Sequence, residues 1–216
     1  MSELLVIIGA GGQAKVIIDA LDFNTFREVI IVDPYANGEK LLGVPIVERL
    51  SSKYDQVPKK YIVAIGDNYR RWQIVQRLLE TDPETKFYTS VHETAFVSNR
   101  AFVGTGSVIC AGAVVGVNSK IGSHSIINTK SVVDHDCLIK DYANMAPNVT
   151  LGGGVEVGVR SFIGISTTVL HSITIAGDVV LGADSFLNSN VEKASSIWFG
   201  RPAKYIRSRE KNDPYL

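Results

Sequence analysis

Residues 115–144 read VGVNSK IGSHSI INTKSV VDHDCL IKDYAN when they are divided into groups of six. Each group opens with Val or Ile, and an aliphatic residue or Met recurs at every sixth position from residue 91 to residue 187. Small residues fill most slots four positions later, and Gly often follows the aliphatic residue, where we expect sharp corners. The periodic positions are Val91, Val97, Val103, Ile109, Val115, Ile121, Ile127, Val133, Ile139, Met145, Leu151, Val157, Ile163, Val169, Ile175, Leu181 and Leu187.

A period of six residues matches neither the 3.6-residue period of a helix nor the alternation of an isolated amphipathic strand. It is typical of a parallel β-helix, in which short strands and tight corners repeat and each coil hydrogen-bonds to the next. Three strands per coil give eighteen residues per turn, so residues eighteen apart should stack about 4.8 Å from each other. An ordinary Val- and Gly-rich β-sandwich would not keep one phase over 97 residues.

Composition and charge exclude several classes of protein. The 216 residues include 22 Lys and Arg and 22 Asp and Glu, a balance that argues against nucleic acid or another polyanion as partner. The apolar residues are not gathered into a segment of twenty, and the short apolar run near the start has no basic region before it, so we expect neither a membrane span nor a signal peptide. Cys110 and Cys137 fall on different predicted coils, where a disulfide is not expected. These features predict a cytoplasmic protein.

The first 85 residues follow another pattern, in which apolar strands alternate with helices. Residues 4–8, 29–32 and 61–65 are predicted strands, and the run from Tyr69 to Leu79 is a predicted amphipathic helix. This alternation is typical of a small parallel sheet. We therefore divide the chain into an α/β, Rossmann-like half-domain (1–85), an all-β parallel β-helix (86–190) and a polar C-terminal tail (191–216).

A glycine-rich turn follows the first predicted strand. The segment Gly9-Ala10-Gly11-Gly12-Gln13-Ala14 matches the G-x-G-x-x-G/A fingerprint, and Asp33 follows about twenty residues later. The glycines let the backbone approach a phosphate, the helix N-terminus offers N–H donors, and Asp33 could accept a ribose hydroxyl. A full dinucleotide fold needs two such halves, so a nucleotide or nucleotide-sugar is favoured over NAD, and a tight turn without a ligand is the alternative.

A second cluster, Gly66-Asp67-Asn68, ends another predicted strand. Because the carboxyl ends of parallel strands meet at one edge of the sheet, this cluster should lie beside the glycine-rich turn. We therefore count Gly66, Asp67 and Asn68 among the substrate-binding residues.

The second constellation is Asn128 with Asp134-His135-Asp136. A His flanked by carboxylates has the near-neutral pKa of a general base and an acid to orient its other nitrogen, although an Asp-His-Asp run in isolation is more often a solvated corner. Gly153 lies eighteen residues after His135, so its backbone should stack on the adjacent coil. A backbone N–H beside a base is what a developing oxyanion requires.

A metal site is not expected within one chain. His135 and His171 are two coils apart in the same column, about 9.6 Å from each other, which is too far for one ion. The other two His residues, His92 and His124, fall in other columns. A zinc site with three His ligands could form only across subunits.

These motifs together resemble the bacterial sugar acyltransferases of the NeuD and PglD types. The resemblance rests on the glycine-rich turn, the segment 64–68, Asn128 with the Asp-His-Asp run, the six-residue array and the closing Gly200-x-Pro202-Ala203-Lys204, and it extends over essentially the whole chain. The array alone indicates only an acyltransferase-rich superfamily, whereas its combination with this N-terminal domain is specific.

The resemblance implies a left-handed β-helix that assembles as a homotrimer, with acetyl-CoA in a groove between adjacent subunits. It implies that His135 is the base, that Asp136 or else Asp134 orients it, and that Asn128 lies near the acceptor. The Gly153 N–H would face the thioester oxygen. The implied lining of the coenzyme groove is Gly164, Gly182, Ala183, Pro202, Ala203 and Lys204. The N-terminal domain would hold a nucleotide-linked amino sugar.

Two residues depart from the pattern of the family. Many relatives have His at the position of Gln13, and some have His at the position of Asn144, near the thioester.

The function that the resemblance implies is acetyl transfer to the amine of a nucleotide-linked 4-amino-4,6-dideoxy sugar, in the synthesis of surface-glycan precursors. The alternative enzymes are an O-acetyltransferase acting on sialic acid or another sugar and, less favoured, an oxidoreductase that uses NAD. A β-helix scaffold without catalysis is the alternative from another class.

Overall fold

A computed structural model describes residues 3–210 and 212–214. The ends of the predicted first and last segments, Met1, Ser2, Lys211, Tyr215 and Leu216, lie outside the described residues. The N-terminal part is a five-stranded sheet with two helices. Its elements are β1 (Leu4–Ile8), α1 (Gly12–Asp19), β2 (Glu28–Val32), β3 (Lys40–Leu41), β4 (Val44–Val47), β5 (Lys59–Val63) and α2 (Asn68–Thr81), and short 3₁₀ turns lie at Phe23–Thr25 and Ser52–Tyr54.

The sheet order is β3-β4-β2-β1-β5, and all neighbours are parallel except β3 and β4, which form a hairpin. The three strands predicted from the sequence are confirmed as β1, β2 and β5. The hairpin was not predicted, because its strands are short and Pro45 interrupts the apolar run. Glycine-rich and polar segments follow β1 and β5 at the carboxyl edge of the sheet, as parallel topology requires.

The remaining chain forms the left-handed β-helix. Its coils consist of two-residue strands: β6 (Ser90–Val91), β7 (Phe96–Val97), β8 (Phe102–Val103), β9 (Val108–Ile109), β10 (Val114–Val115), β11 (Lys120–Ile121), β12 (Ile126–Ile127), β13 (Val132–Val133), β14 (Leu138–Ile139), β15 (Asn144–Met145), β16 (Thr150–Leu151), β17 (Glu156–Val157), β18 (Phe162–Ile163), β19 (Thr168–Val169), β20 (Thr174–Ile175), β21 (Val180–Leu181) and β22 (Phe186–Leu187). Strands pair in parallel with partners eighteen residues away, as Val114 does with Val132, which confirms the predicted coil length.

The coils form a three-sided prism. Face I contains β6, β9, β12, β15, β18 and β21; face II contains β7, β10, β13, β16, β19 and β22; and face III contains β8, β11, β14, β17 and β20. Two further strands, β23 (Ser196–Gly200) and β24 (Ala203–Ser208), form a hairpin that continues face I beyond β21.

The periodic aliphatic side chains fill the prism. From Ile109 to Leu187 each of them is at most 1% exposed. Val91 is 42% exposed, because β6 belongs to the first coil and no coil precedes it. The N-terminal sheet covers part of the outer side of face I. Val108, Cys110 and Ile126 share an apolar cluster with β1 and α1.

The glycines after the aliphatic positions are needed not for sharp corners, as the sequence predicts, but for another reason. A Cβ on Gly116 would lie 2.7 Å from the Asp134 carbonyl carbon, so these glycines allow close stacking of successive coils. The left-handed φ angles fall at other corner positions, which residues such as Asn118 (58°), Lys130 (57°) and Asp136 (58°) occupy.

Neither helix of the described chain combines the length and the apolarity needed to cross a bilayer.

Candidate active site

His135 lies on the corner between faces II and III, directly after β13. Its Nδ1 is 2.8 Å from Asp136 Oδ2, while its backbone N–H donates to Asp134 Oδ1 at 2.7 Å. The other Asp136 oxygen accepts from Asn118 Nδ2 at 3.1 Å. Asp136 therefore orients the imidazole, and Asp134 fixes the backbone of the corner. The sequence left these two roles open.

Asn118 is a site residue that motif reading did not identify. It lies eighteen residues before Asp136, one coil away in the same column, so the coil length could have revealed it.

The acidic neighbours change the protonation of the imidazole. The hydrogen bond to Asp136 and then the charge of Asp134 raise the pKa of His135 above its usual value. The reciprocal bond to His135, followed by the bond to Asn118, lowers the pKa of Asp136. The His135 side chain is 57% exposed, so Nε2 can meet a second molecule.

Gly153 lies against the His135 ring, as the coil register predicts. A Cβ on Gly153 would overlap Cε1 and Nε2 of the imidazole. The adjacent Gly154 N–H donates to the His135 carbonyl at 2.9 Å, which fixes the two corners to each other. Within the described part of the chain, the Gly153 N–H has no hydrogen-bond acceptor. A backbone N–H that has no acceptor there, in a residue packed against an imidazole, is suited to a developing oxyanion.

The remaining residues predicted for catalysis and coenzyme binding lie on a different corner. Asn128 follows β12 and precedes β13, on the corner between faces I and II, whereas His135 follows β13. Gly164 and Ala183 lie on the same corner as Asn128, two and three coils further along the prism. The width of face II therefore separates Asn128 from His135 within one chain, an arrangement that the seven-residue spacing did not suggest.

Gly182 and the hairpin residues close the upper end of that corner. The Phe199 ring occupies the space that a Cβ on Gly182 would need. Pro202 and Lys204 are exposed on the turn and strand of the β23–β24 hairpin, and Ala203 is buried.

The glycine-rich turn at the carboxyl edge of the N-terminal sheet has room in front of it. Apart from the adjacent residues of the chain, no heavy atom of the described residues lies within 4 Å of an ideal Cβ built on Gly11, Gly12 or Gly66. Gly9 differs, because its φ is +100° and a Cβ there would come within 2.7 Å of the Ile65 side chain. Gly9 thus shapes the turn, whereas the other three glycines leave an open cradle at the N-terminus of α1, where backbone N–H groups favour an anion.

The Asp33 carboxylate stabilises the glycine-rich turn. Its Oδ2 accepts from the Ala10 N–H at 2.8 Å and its Oδ1 from the Tyr35 N–H at 2.9 Å. The first bond orders the glycine-rich turn, and the second orders the segment after β2. Binding of a ribose hydroxyl by Asp33 stays a prediction.

Gln13 contributes a polar group near the same turn. Its Nε2 is buried and has no hydrogen-bond partner among the described residues.

The cluster after β5 divides between two roles. Asp67 caps α2 through a 2.8 Å bond from the Arg70 N–H. Asn68 is 1% exposed, and its Nδ2 donates to the carbonyls of Arg160 and Ser161, both at 3.0 Å. The Asn68 side chain thus fastens α2 to the β-helix, and substrate binding by Asn68 stays a prediction.

Asn144 lies under the N-terminal sheet and not beside His135. It is 5% exposed, and its Nδ2 donates to the Gly66 carbonyl at 3.3 Å.

Among the described residues, no group of three or more His, Cys, Asp and Glu side chains is arranged to hold a metal ion.

Comparisons with known proteins agree on one family. A model of the PglD N-terminal domain matches residues 4–78. The fold is similar to that of perosamine N-acetyltransferase from Caulobacter crescentus, solved in complex with CoA and GDP-perosamine. The two sequences are 32% identical, the alignment covers 94% of this chain and 97% of the other, and the TM-score is 0.83. No curated protein sequence matches this chain.

Two further solved structures are similar over nearly the full length. The acetyltransferase domain of PglB from Neisseria gonorrhoeae is 30% identical, with a TM-score of 0.85 and coverage of 94% of this chain and 99% of that one. WeeI from Acinetobacter baumannii is 24% identical, with a TM-score of 0.81 and coverage of 95% and 100%, and it shows the shared fold alone.

Proposed function

The chain belongs to the NeuD/PglD-type family of sugar acyltransferases, and from this premise we propose that it transfers acetyl from acetyl-CoA to the amine of a nucleotide-linked 4-amino-4,6-dideoxy sugar. The PglB domain has been solved with acetyl coenzyme A, and the Caulobacter enzyme acts on an amino sugar linked to GDP. The observation that carries the proposal is the imidazole of His135, which is held by Asp136 and packed against Gly153, a residue whose N–H has no acceptor among the described residues. We place the reaction in the cytoplasm, as a step in the synthesis of surface-glycan precursors.

The chemistry assigned to these groups is acyl transfer with general-base catalysis. Acetyl-CoA supplies the thioester carbonyl, a C–N bond to the sugar forms and the C–S bond breaks. His135 Nε2 accepts the proton of the attacking amine while Asp136 holds Nδ1 and stabilises the charged ring. The Gly153 N–H donates to the carbonyl oxygen as negative charge develops there. The proton then returns to the departing sulfur, so coenzyme A leaves as the thiol.

The sugar nucleotide is assigned to the open cradle of the N-terminal sheet. Gly11, Gly12 and Gly66 leave space for phosphate oxygens, and the N-terminus of α1 supplies donors. Asp33 holds the turn in this shape.

Coenzyme binding is assigned to a groove between subunits of a homotrimer. The residues for one groove lie on two corners of the prism, with His135 and Gly153 on one and Asn128, Gly164 and Ala183 on the other. The corner of one prism must therefore meet the opposite corner of a neighbour to complete a site, and a cyclic trimer closes this head-to-tail contact. The hairpin residues Pro202–Lys204 would close the upper end of the groove.

A substrate panel tests the proposal. Purified protein is incubated with acetyl-CoA and with UDP-, dTDP- and GDP-linked 4-amino-4,6-dideoxy sugars, alongside the matching 4-hydroxy sugars, while free thiol and product mass are measured. We expect N-acetylation of at least one amino sugar and none of its hydroxy counterpart. Acetylation of the hydroxy sugars alone would establish the O-acetyltransferase alternative.

A further inference from the structure

Arg71, on the first turns of α2, is buried in the junction between the N-terminal sheet and the β-helix. It is only 1% exposed, although it is one of the largest side chains in the protein. Burial of a guanidinium is costly unless its hydrogen-bonding capacity is matched.

Each of the five N–H donors of Arg71 has an acceptor. Nε donates to the His124 carbonyl at 2.8 Å, and Nη2 donates to the Tyr142 carbonyl at 2.8 Å. Nη1 donates to the carbonyls of Ile65 and Gly66 at 2.8 and 2.9 Å, and Nη2 also reaches Asn68 Oδ1 at 2.8 Å. The planar fork of Arg suits this arrangement, and no other side chain offers five donors in fixed geometry.

The acceptors of the Arg71 hydrogen bonds lie partly in the N-terminal domain and partly in the β-helix. Ile65, Gly66 and Asn68 form the segment after β5, whereas His124 and Tyr142 lie on successive coils, at the corner between faces III and I. These two residues are themselves ordered, because the His124 and Tyr142 rings stack with centroids 5.2 Å apart.

Other contacts fix the same segment to the β-helix. The Gly66 carbonyl also accepts from Asn144 on β15, and Asn68 reaches the next coil through Arg160 and Ser161. The segment 65–68 is thus held against three successive coils, with Arg71 at the centre of the contacts.

This segment is one wall of the nucleotide cradle. The Ile65 side chain packs against Gly9 of the glycine-rich turn, and Gly66 faces open space. Because Arg71 contacts the backbone of this wall and not the cradle itself, its position determines where the cradle lies relative to the catalytic coils.

We propose that Arg71 is a positioning residue for the acceptor, which fixes the Ile65–Asn68 wall of the nucleotide cradle to the β-helix so that the sugar amine reaches the transfer site. This inference rests on the proposed function, since it assigns the acceptor to that cradle. It goes beyond that function by naming a residue that acts on the acceptor without touching it.

Kinetics of the intact protein test the inference. We expect Arg71→Met to raise the acceptor KM about ten-fold, because a small displacement of a binding wall misplaces the reacting group. The acetyl-CoA KM should stay within about two-fold, since the coenzyme groove does not include this junction. Arg71→Lys keeps the charge but not the fork and should fall between Arg71→Met and the wild type.

Two controls separate positioning from loss of stability. Arg77→Met changes an exposed Arg on the same helix and should leave both KM values unchanged. Val75→Ala removes buried volume from α2 and should lower the Tm without raising the acceptor KM. The inference is overturned if Arg71→Met leaves the acceptor KM unchanged, or if Val75→Ala raises it equally at a matched loss of Tm.

A substrate-free measurement keeps the inference independent of the acceptor's identity. Hydrogen exchange of the Gly66–Asn68 amides should be about ten-fold faster or more in Arg71→Met, or in Arg71→Lys if the Met variant does not fold, and unchanged in Arg77→Met. Unchanged exchange in the Arg71 variant would overturn the inference. Faster exchange in a protein that acetylates no nucleotide-linked amino sugar would instead refute the proposed function. The structural link between Arg71 and the segment 65–68 would then still stand.

Discussion

At the scale of single residues, the corner after β13 shows how the coil register builds a site from separate parts of the sequence. Asn118, Asp136 and the His135 ring form one hydrogen-bonded line, and Gly153 packs against the ring from the next coil. Each of these contacts joins residues that are adjacent in sequence or eighteen apart. The proposed base, its orienting carboxylate and the proposed backbone donor are therefore held by stacked coils of the β-helix and not by a loop.

The first prediction concerns His135 as the base. His135→Ala should lower kcat by roughly 10²–10⁴, the usual loss when a general base is removed. Coenzyme A affinity, measured by calorimetry, should hardly change, because the groove keeps its backbone. A variant with near wild-type turnover would show that another group takes the proton.

The second prediction concerns pH. The base must be neutral to accept a proton, so kcat/KM should fall as the pH drops through the raised pKa of His135. Asp136→Asn removes the largest cause of that raised pKa, so the acidic limb should move to lower pH while kcat falls about ten-fold or more. Asp134→Asn is the matched control and should move the limb less, because Asp134 bonds the backbone N–H and acts on the ring only through its charge. An acidic limb that does not move in Asp136→Asn would contradict the assignment of Asp136.

At the scale of secondary-structure elements, the sequence predicts the repeated coils of the β-helix but not the single β3–β4 hairpin. The coil length, the interior positions and the stacking of Gly153 on His135 follow from one period, because each coil has the same environment as the next. The β3–β4 hairpin has no such repetition. Its two-residue loop, Leu42-Gly43, has φ angles of 49° and 85°, and Leu gives no signal for a turn of this type.

The candidate site was predicted in the same uneven way. Asp-His-Asp and the glycine-rich turn are contiguous in sequence and could be read directly. Arg71 could not be identified, since its acceptors are backbone carbonyls of distant segments, and carbonyls carry no sequence signature. The contacts of the Asn68 side chain could not be predicted for the same reason, because its partners include the carbonyls of residues more than ninety positions away.

The third prediction follows from the hairpin loop. Leu42 is 61% exposed and has a left-handed φ that costs a branched residue about 1 kcal/mol. Leu42→Asn creates the Asn-Gly pair that two-residue hairpin loops favour, so the free energy of unfolding should rise by about 0.5–1 kcal/mol. The matched change Leu41→Asn, one residue earlier on β3, should lower stability because Leu41 packs against the apolar cluster of the sheet. Thermal unfolding of both variants measures the difference, and a Leu42→Asn variant less stable than the wild type would contradict the explanation.

At the scale of the whole molecule, the two corners of the prism determine how the protein can work. Face II separates His135 from Asn128 and Ala183. In the proposed homotrimer, each chain would therefore contribute one half-site to each of two neighbours. An isolated chain would leave a coenzyme largely in water, whereas ligand sites usually bury most of the ligand surface. The assembly is in this view part of the catalytic apparatus.

The fourth prediction tests shared sites by complementation. His135→Ala removes the base from one corner, and Ala183→Trp obstructs the groove on the other, so each homotrimer should be almost inactive. The whole population of trimers from equal co-expression should regain roughly a quarter of wild-type activity, because a random pairing unites an intact His135 corner with an intact Ala183 corner in one case of four. Mixed trimers without activity would mean that both corners serve the same chain's site.

The eighteen-residue coil also fixes the distance between His135 and the β23–β24 hairpin. Inserting one coil above the corner that carries Gly153 would preserve every strand pairing, yet it would carry the β23–β24 hairpin about 4.8 Å away from His135. Inserting one coil between His135 and Gly153 would instead split the base from its backbone donor. A whole coil added above this corner would therefore keep the contact between His135 and Gly153 and would lengthen the proposed coenzyme groove by about 4.8 Å.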